Sequence, residues 1–391
     1  MTAPANRVES TLLRRINERR LLEFIQSQGP SSRAMLTRSS GLTAPTVSKA
    51  IDSLLQRGLV EELEPVEQAL GRPGKLVRMA SHSGAVLGVV IDTQTCCSVA
   101  AGLEGTVTEE QTRRISTPDD YTTLIDMIER DCRSLMAGIP GKLHGIGMSV
   151  PGLINDRLGE IVFSPNLHLL DKRNPARDLE QRLGIPSLLI QETDGLCLSE
   201  RIYGDARGLD DFAVLDAAFG LGLAVMSGGH LLTGHSGMAG EIGHITVAPD
   251  GLRCGCGCGN RGCLETLATD AALLRMLADK LGTPPDLEAA ADLLNDRAAD
   301  FQHEIRTATE YLAIAIATVI NIFNPTTLFV HGTLLAAHPD RFARVLDRVK
   351  QRTLTASLAD CTIVATRSSK RQGAIAGIMH HLTNAWAPTV R

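Results

Sequence analysis

The segment that most restricts how this chain can fold lies between residues 241 and 265. Glu241-Ile242-Gly243-His244 is followed by Cys254-Gly-Cys256-Gly-Cys258-Gly-Asn-Arg-Gly-Cys263-Leu-Glu265. One imidazole and several thiols so close together are enough for a tetrahedral Zn²⁺ site. The interleaved glycines let a short loop fold back so that several sulfurs converge. Three thiolates and one imidazole leave no open coordination position, which makes such a zinc structural and not catalytic. Four cysteines exceed the three needed beside His244, so one of Cys254, Cys256 and Cys258 is a spare. The chain has nine cysteines and only these four cluster, a pattern that favours metal over disulfides in a reducing compartment.

The N-terminus fits that compartment. The first 25 residues carry Arg7, Arg14, Arg15, Arg19 and Arg20 with no apolar block between them, unlike a secretion signal or an anchor, so a cytoplasmic location is expected. The longest apolar run, Leu312 to Phe323, is too short to span a bilayer and stops at Asn324-Pro325, as a buried helix would. No membrane partner is expected. With 391 residues, 43% of them hydrophobic and 21% charged, the chain has material for two or three globular domains.

Residues 1–80 read as a separate module. Leu12, Leu13, Ile16, Leu21, Phe24 and Ile25 recur at helical spacing and the pattern stops at Gly29-Pro30. Ser31 or Ser32 can cap a short second helix through Ser39; Gly41 then turns the chain, and Thr43 can cap a third. The third helix has an apolar stripe of Val47, Ile51, Leu54 and Leu55, which leaves Pro45, Thr46, Ser48 and Lys49 facing outward near its N-terminus. Gly71-Arg72-Pro73-Gly74-Lys75 followed by alternating Leu76-Val77-Arg78-Met79 reads as a hairpin with a basic tip. Three helices and a basic hairpin make a winged helix-turn-helix. A small helical domain that docks on another protein has the same helix pattern, but it has no need of Arg72 and Lys75 on a glycine-bracketed tip, where long cations reach phosphates or the minor groove. Charge is divided to match: residues 1–80 hold 12 basic against 8 acidic residues, a balance of +4, and the remainder carries −9.

On these motifs the chain resembles the ROK family, named for repressors, open reading frames and kinases, over nearly its whole length. Cys256 to Glu265, reading CGCGNRGCLE, is similar to that family's zinc motif, with EIGH at Glu241 to His244 before it. Further similar segments are Val150-Pro151-Gly152, Ser164-Pro165-Asn166-Leu167, and Gly228-Gly229-His230-Leu231-Leu232 after the Gly222 region. Thr46-Val47-Ser48 and Gly71-Arg72-Pro73 resemble the family's regulator branch, since its sugar kinases lack the N-terminal extension. The resemblance implies an α/β body of two lobes with an actin-like fold (sugar kinase or Hsp70 type), a structural zinc loop and a sugar cleft. It carries over His244, Cys256, Cys258 and Cys263 as zinc ligands, whereas spacing from His244 would make Cys254 the first cysteine. It also implies effector contacts from Asn166, Gln191, Glu192, Glu241, His244 and Glu265.

The family's phosphoryl-transfer parts are altered. Where its kinases end the first strand in Asp-Ile-Gly-Gly-Thr, this chain has Val90-Ile91-Asp92-Thr93-Gln94; where they have a second phosphate loop Gly-Thr-Gly-Ile-Gly, it has Ala218-Phe219-Gly220-Leu221-Gly222. The Asn-Asp pair whose aspartate is the base corresponds to Gln191-Glu192, and His331-Gly332 replaces a pair of glycines near the adenine. Phosphoryl transfer is mostly positioning and charge stabilisation, so these losses predict no kinase activity. The expected organisation is a DNA-binding head at 1–80, a first lobe at 81–195 sharing part of the C-terminal helix, and a second lobe at 196–391 with the zinc loop and the oligomerisation surface. The expected function is a repressor of transcription that binds an inverted-repeat DNA operator through Pro45, Thr46, Ser48, Lys49, Arg72 and Lys75 as a homodimer or tetramer and responds to a sugar or sugar derivative. An active kinase with a regulatory head and a dimerisation scaffold that binds no sugar are the alternatives.

Overall fold

The structure, a computed structural model, describes residues 5–63, 75–165, 167–296 and 298–385. Helix α1 (Ala5–Gln28) buries Leu21, Leu22 and Ile25 and stops at Gly29, whose positive φ of 80° turns the chain while its N–H returns to the Ile25 carbonyl. Leu12 and Leu13, part of the expected apolar stripe, are instead exposed. Strand β1 (Ser31–Ser32) leads into α2 (Arg33–Ser40), which the Ser32 hydroxyl caps by accepting from Met35 N–H at 3.2 Å. After Gly41 comes α3 (Ala44–Gln56), with Val47, Ala50, Ile51 and Leu54 buried. Thr43 holds the cap position without bonding the helix backbone, because its hydroxyl pairs with that of Thr46 at 2.9 Å. Strands β2 (Val60–Leu63) and β3 (Leu76–Met79) pair antiparallel, and β1 adds to the far side of β3. They form the base of the expected wing, whose tip, including Arg72, lies outside the described residues.

The head joins the body with almost no linker. Strand β4 (Gly84–Ile91) begins five residues after β3 ends at Met79. At the join, a Cβ on Gly84 would collide with the Gly58 carbonyl oxygen, and Gly58 itself has φ +71°, so neither position accepts a side chain without rearrangement. Ala80 N–H donates to the Leu59 carbonyl and Leu103 N–H to the Ala80 carbonyl, at 3.1 and 2.7 Å. The Glu61 carboxylate accepts from the Ser81 hydroxyl, Arg78 Nε and His82 N–H at 2.7, 2.9 and 3.1 Å.

Strand β4 is buried along its whole length and reads as an unbroken apolar run, as central strands covered on both faces do. It pairs antiparallel with β5 (Thr95–Gly102), followed by β6 (Thr112–Ser116), and α4 (Tyr121–Met136) leads to β7 (Lys142–Val150), parallel to β4. The chain then makes a hairpin, β8 (Leu153–Asn155) and β9 (Glu160–Phe163), before α5 (Pro175–Leu183), β10 (Ser187–Gln191) and α6 (Glu192–Ile202) complete a sheet of order β10-β7-β4-β5-β6.

A second five-stranded sheet, ordered β13-β12-β11-β14-β15, begins with β11 (Phe212–Asp216), β12 (Gly222–Ser227) and β13 (His230–Leu231). After the cysteine loop come α7 (Glu265–Ala268), α8 (Asp270–Leu281), α9 (Leu287–Asp296), α10 (Gln302–Phe323), β14 (Thr327–His331), α11 (Pro339–Lys350), α12 (Thr355–Ala359) and β15 (Thr362–Ala365). Helix α10 is long and apolar enough to cross a membrane, but over half of its apolar stretch is buried in the protein, and Asn324 ends it in the left-handed conformation before Pro325. Its Leu312, Ile316, Val319 and Ile320 belong to one buried apolar cluster with residues of β11 and β14.

The last helix, α13 (Lys370–Ala385), returns to the first sheet and packs on β4, β7 and α6, where Gly373 meets Gly195 backbone to backbone. Two compact units result: residues 1–151, 173–203 and 369–391, and residues 152–172 and 204–368. This division differs from one at 195/196, which would cut α6 in its middle. The β8-β9 hairpin belongs with the second unit, and the head belongs with the first.

Candidate metal centre and DNA-reading helix

In the head, Pro45 and Lys49 are exposed while Thr46 and Ser48 are half-buried on the first turns of α3, as the apolar stripe requires. Arg33, from α2, braces this helix by donating to the Ser48 carbonyl at 3.3 Å and to Asp52 at 2.8 Å. Lys75 at the foot of the wing pairs with Glu62 at 2.8 Å and stays more than half exposed. A pair this open is worth little and exchanges readily for another anion.

The cysteine segment folds on itself through backbone bonds of Val247 N–H to Gly262 O, Gly262 N–H to Leu252 O and Cys254 N–H to Asn260 O, each between 2.8 and 2.9 Å. Gly262, at φ +62°, passes against the Ala248 carbonyl where no Cβ fits. The result brings together one donor each from His244, Cys254, Cys256 and Cys258, all within 4.8 Å of one another. Cys263 is fully buried and its thiol bonds that of Cys258, but it stands outside this mutually close set. Cys254, by contrast, is at the centre, its sulfur 3.1 Å from that of Cys256.

Three observations fit a metal here. His244 Nδ1 is buried and has no hydrogen-bond partner among the described residues, a costly state for a polar nitrogen. Burial pushes the Cys254 and Cys256 thiols up, Cys256 to about 12, and the Glu265 carboxylate beside Cys254 adds to the rise. Buried thiols of that kind lose their protons to a bound cation far more readily than to water. The donor set of soft sulfurs and one imidazole suits zinc and not magnesium or calcium. The cluster can therefore hold a metal ion.

Carboxylates flank the imidazole. Glu265 Oε1 lies 3.7 Å from His244 Nδ1 and accepts from the Cys254 thiol at 2.8 Å; Glu241 Oε2 lies 3.6 Å from Nε2. Burial holds the Glu241 carboxyl above its ordinary range, with the Glu265 charge adding to the rise and His244 opposing it. Asn166 lies outside the described residues. Gln191 serves as the cap of α6, its side-chain oxygen accepting from Thr193 and Asp194 N–H at 2.9 and 3.1 Å. Glu192, in the first unit, pairs with Lys370.

The positions that the resemblance sets against kinase nucleotide loops make internal contacts. Asp92 accepts from Thr93 N–H at 2.7 Å and pairs with Lys370 at 3.3 Å. At the ends of the paired strands β11 and β14, His331 Nδ1 lies 2.8 Å from Asp216 Oδ1. Asp270, buried and pushed up to about 6 by desolvation, accepts from the backbone N–H groups of Thr333 and Leu334. Phe219 is half exposed in the second loop. Sequence reading missed Lys370, Asp216 and Asp270, whose partners lie far away in the chain: 278 residues separate Lys370 from Asp92.

The ROK family matches residues 87–384, and the MarR family matches residues 13–68. The chain is 30% identical over 336 residues to the xylose repressor of Bacillus subtilis (strain 168), covering 85% of each protein. It is 25% identical to the DNA-binding transcriptional dual regulator NagC of Escherichia coli (strain K12), over 95% of this chain and 94% of that protein. A crystal structure of a ROK family transcriptional regulator, a homologue of the E. coli MLC protein, superposes with a TM-score of 0.78 at 24% identity over 96% of this chain and 98% of that one. The ROK hexokinase of Thermus thermophilus superposes over 76% of this chain and 98% of its own, with a TM-score of 0.63 at 24% identity. The two structures bear on the fold alone.

Proposed function

Because the chain belongs to the ROK family, we propose that it is a sugar-responsive DNA-binding transcription repressor. The observation that carries the reading is the helix-turn-helix head, with α3 turned outward and the head locked directly onto the body. Relatives matching across both parts, one a xylose repressor and one a regulator of transcription, support it. Pro45, Thr46, Ser48 and Lys49 read the major groove, while Arg72 and Lys75 on the wing hold phosphates or the minor groove. One such head reads only a few base pairs, so two copies on an inverted repeat supply specificity, in a homodimer or a dimer of dimers in the cytoplasm.

The body senses the sugar through Asn166, Gln191, Glu192, Glu241, His244 and Glu265 and does not phosphorylate it. His244 with Cys254, Cys256 and Cys258 would hold zinc, which would cross-link the loop and fix the imidazole tautomer. With Nδ1 turned to the thiols, Nε2 carries the proton and donates to a ligand hydroxyl or to Glu241. Glu241 and Glu265 accept hydroxyl protons on either side of the ring. A sugar that releases DNA binds more weakly to the DNA-bound form, by the same factor. The deciding experiment maps the bound genomic sites and measures operator release by the sugars whose transport or catabolic genes lie beside them. Loss of operator binding on adding one such sugar supports the reading; a protein that binds no DNA, or that turns over ATP with a sugar, replaces it with the kinase.

A further inference from the structure

We propose that Cys258 and Cys263 are an oxidisable pair, which a hydroperoxide joins in a disulfide with release of the metal ion. The inference rests on the zinc reading above and goes beyond it, to a covalent modification of the loop. What carries it is a surplus of sulfur. A tetrahedral ion takes four donors, and His244, Cys254, Cys256 and Cys258 already supply them, while Cys263 stands outside that set. Cys263 nevertheless belongs to the same buried sulfur cluster, and its thiol bonds that of Cys258. The backbone holds it there without help from an ion: Cys263 bridges Thr246, and its carbonyl accepts from the Thr266 N–H and hydroxyl at 3.0 and 2.7 Å.

The two thiols differ in access. Cys254, Cys256 and Cys263 are buried, and Cys258 alone of the four is partly exposed. The adjoining Gly259 has no described atom within 4 Å of where a Cβ would stand, so that side of the turn is open. A small oxidant therefore reaches Cys258 first, and Cys263 waits behind it. A sulfur that holds a metal is a thiolate, the nucleophilic form. The Cys258 sulfur attacks one peroxide oxygen; the O–O bond breaks, and the other oxygen leaves as hydroxide and takes up a proton, leaving a sulfenic acid. The Cys263 sulfur then attacks the Cys258 sulfur. The S–O bond breaks, the S–S bond forms, and the departing oxygen carries off the Cys263 proton as water. Two thiols are oxidised and one hydrogen peroxide is reduced to two waters. His244, Cys254 and Cys256 alone leave a coordination position open, so the ion is held less tightly and escapes.

The test exposes the zinc-loaded full-length protein to hydrogen peroxide, follows free zinc with a chromogenic chelator and maps disulfides by mass spectrometry of alkylated, unreduced peptides. The expected result is release of the zinc with a Cys258–Cys263 disulfide, and recovery of both thiols and zinc on adding dithiothreitol. Cys263→Ser, with Cys263→Ala beside it should the buried hydroxyl disturb the loop, is expected to bind zinc before oxidation. Peroxide then carries its Cys258 on to the sulfinic acid, and dithiothreitol restores neither thiol nor zinc. Zinc and thiols that survive peroxide overturn the inference. So does a disulfide that omits Cys263, such as one between Cys254 and Cys256, whose sulfurs lie 3.1 Å apart. Variants at Cys263 that recover as the parent does, or that both lack zinc from the start, overturn its part as the second thiol. A parent chain that binds no zinc fails the premise and the release with it, while operator binding by the same sample reports separately on the regulator reading.

Discussion

The Cys254 thiol donates to Glu265 Oε1 at 2.8 Å, so the metal loop and a carboxylate expected to hold sugar touch directly. Glu241 has no such tie to a sulfur among the described contacts; its carboxylate faces His244 Nε2. The two acids therefore separate sensing from metal binding. Glu241→Ala is expected to keep one zinc per subunit and full operator affinity while losing sugar response at least about tenfold, the loss of one hydrogen bond to a charged group. Glu265→Ala is expected to lose response and to release zinc more readily to a chelator. Metal analysis beside operator titrations checks both, and a Glu241→Ala protein that responds like the parent would refute the placement.

Replacing single cysteines distinguishes the two ligand sets. Geometry favours Cys254 over Cys263, so Cys254→Ser is expected to lower zinc content well below one per subunit and Cys263→Ser to retain it. Cobalt substitution reads the thiolate count independently through its sulfur charge-transfer band. The opposite ranking would restore the set containing Cys263.

On DNA, Lys49 is exposed at the N-terminal part of α3 while Lys75 is already paired with Glu62. Lys49→Ala is expected to cost about 1–3 kcal/mol if it reaches a base edge, with relaxed sequence preference. Arg72→Ala and Lys75→Ala are expected to weaken binding across sequences and each to reduce the salt slope by about one. Titrations at several salt concentrations settle the assignment; unchanged binding by Lys49→Ala would place α3 away from the groove.

With ATP, no sugar is expected to be phosphorylated at even about 1 s⁻¹, the low end of ordinary turnover. Glu192 is paired with Lys370, and Asp216 with His331. A coupled assay reaching that rate would return the protein to the kinases.

Acid should loosen the join between head and body through Glu61. Burial pushes its carboxyl up, but the Ser81 hydroxyl, the His82 N–H and the Arg78 guanidinium outweigh that and hold it at about 2. A carboxyl depressed on folding stabilises fully above its unfolded value near 4.5 and loses that contribution as pH falls through about 2. Linkage puts its upper bound at about 3 kcal/mol. Glu61→Gln is thus expected to lower stability by about 2 kcal/mol at pH 7, the difference vanishing toward pH 2, in denaturant titrations of both proteins. A constant difference across that range would show that the carboxylate's charge is not what matters.

Periodicity made α1, α2 and α10 legible, because their buried stripes stop at Gly29, Gly41 and Asn324-Pro325. The cysteine loop was legible as composition, but which sulfurs converge was not, since turns at Gly257, Gly259 and Gly262 set their directions. Gln191 was read as a ligand group; that it also caps α6, from its position immediately before the helix, was not foreseen. The C-terminal helix was expected to be shared with the first lobe, but the lobe boundary eluded the sequence because the β8-β9 hairpin joins the second unit across a long stretch of chain. Lys370 gave no signal at all: an ordinary Lys-Arg pair acquires meaning only when its helix comes back to β4.

The Gly58–Gly84 contact has a consequence for how an operator is measured. A head fused to its support without slack cannot swivel to follow a half-site that has moved. Inserting one base pair between two half-sites turns one against the other by roughly 35° and lengthens the span by about 3.4 Å. A tethered head would absorb such a change, whereas a paired reader built on this joint works as a caliper with a single setting, so spacing between half-sites becomes part of the sequence it recognises.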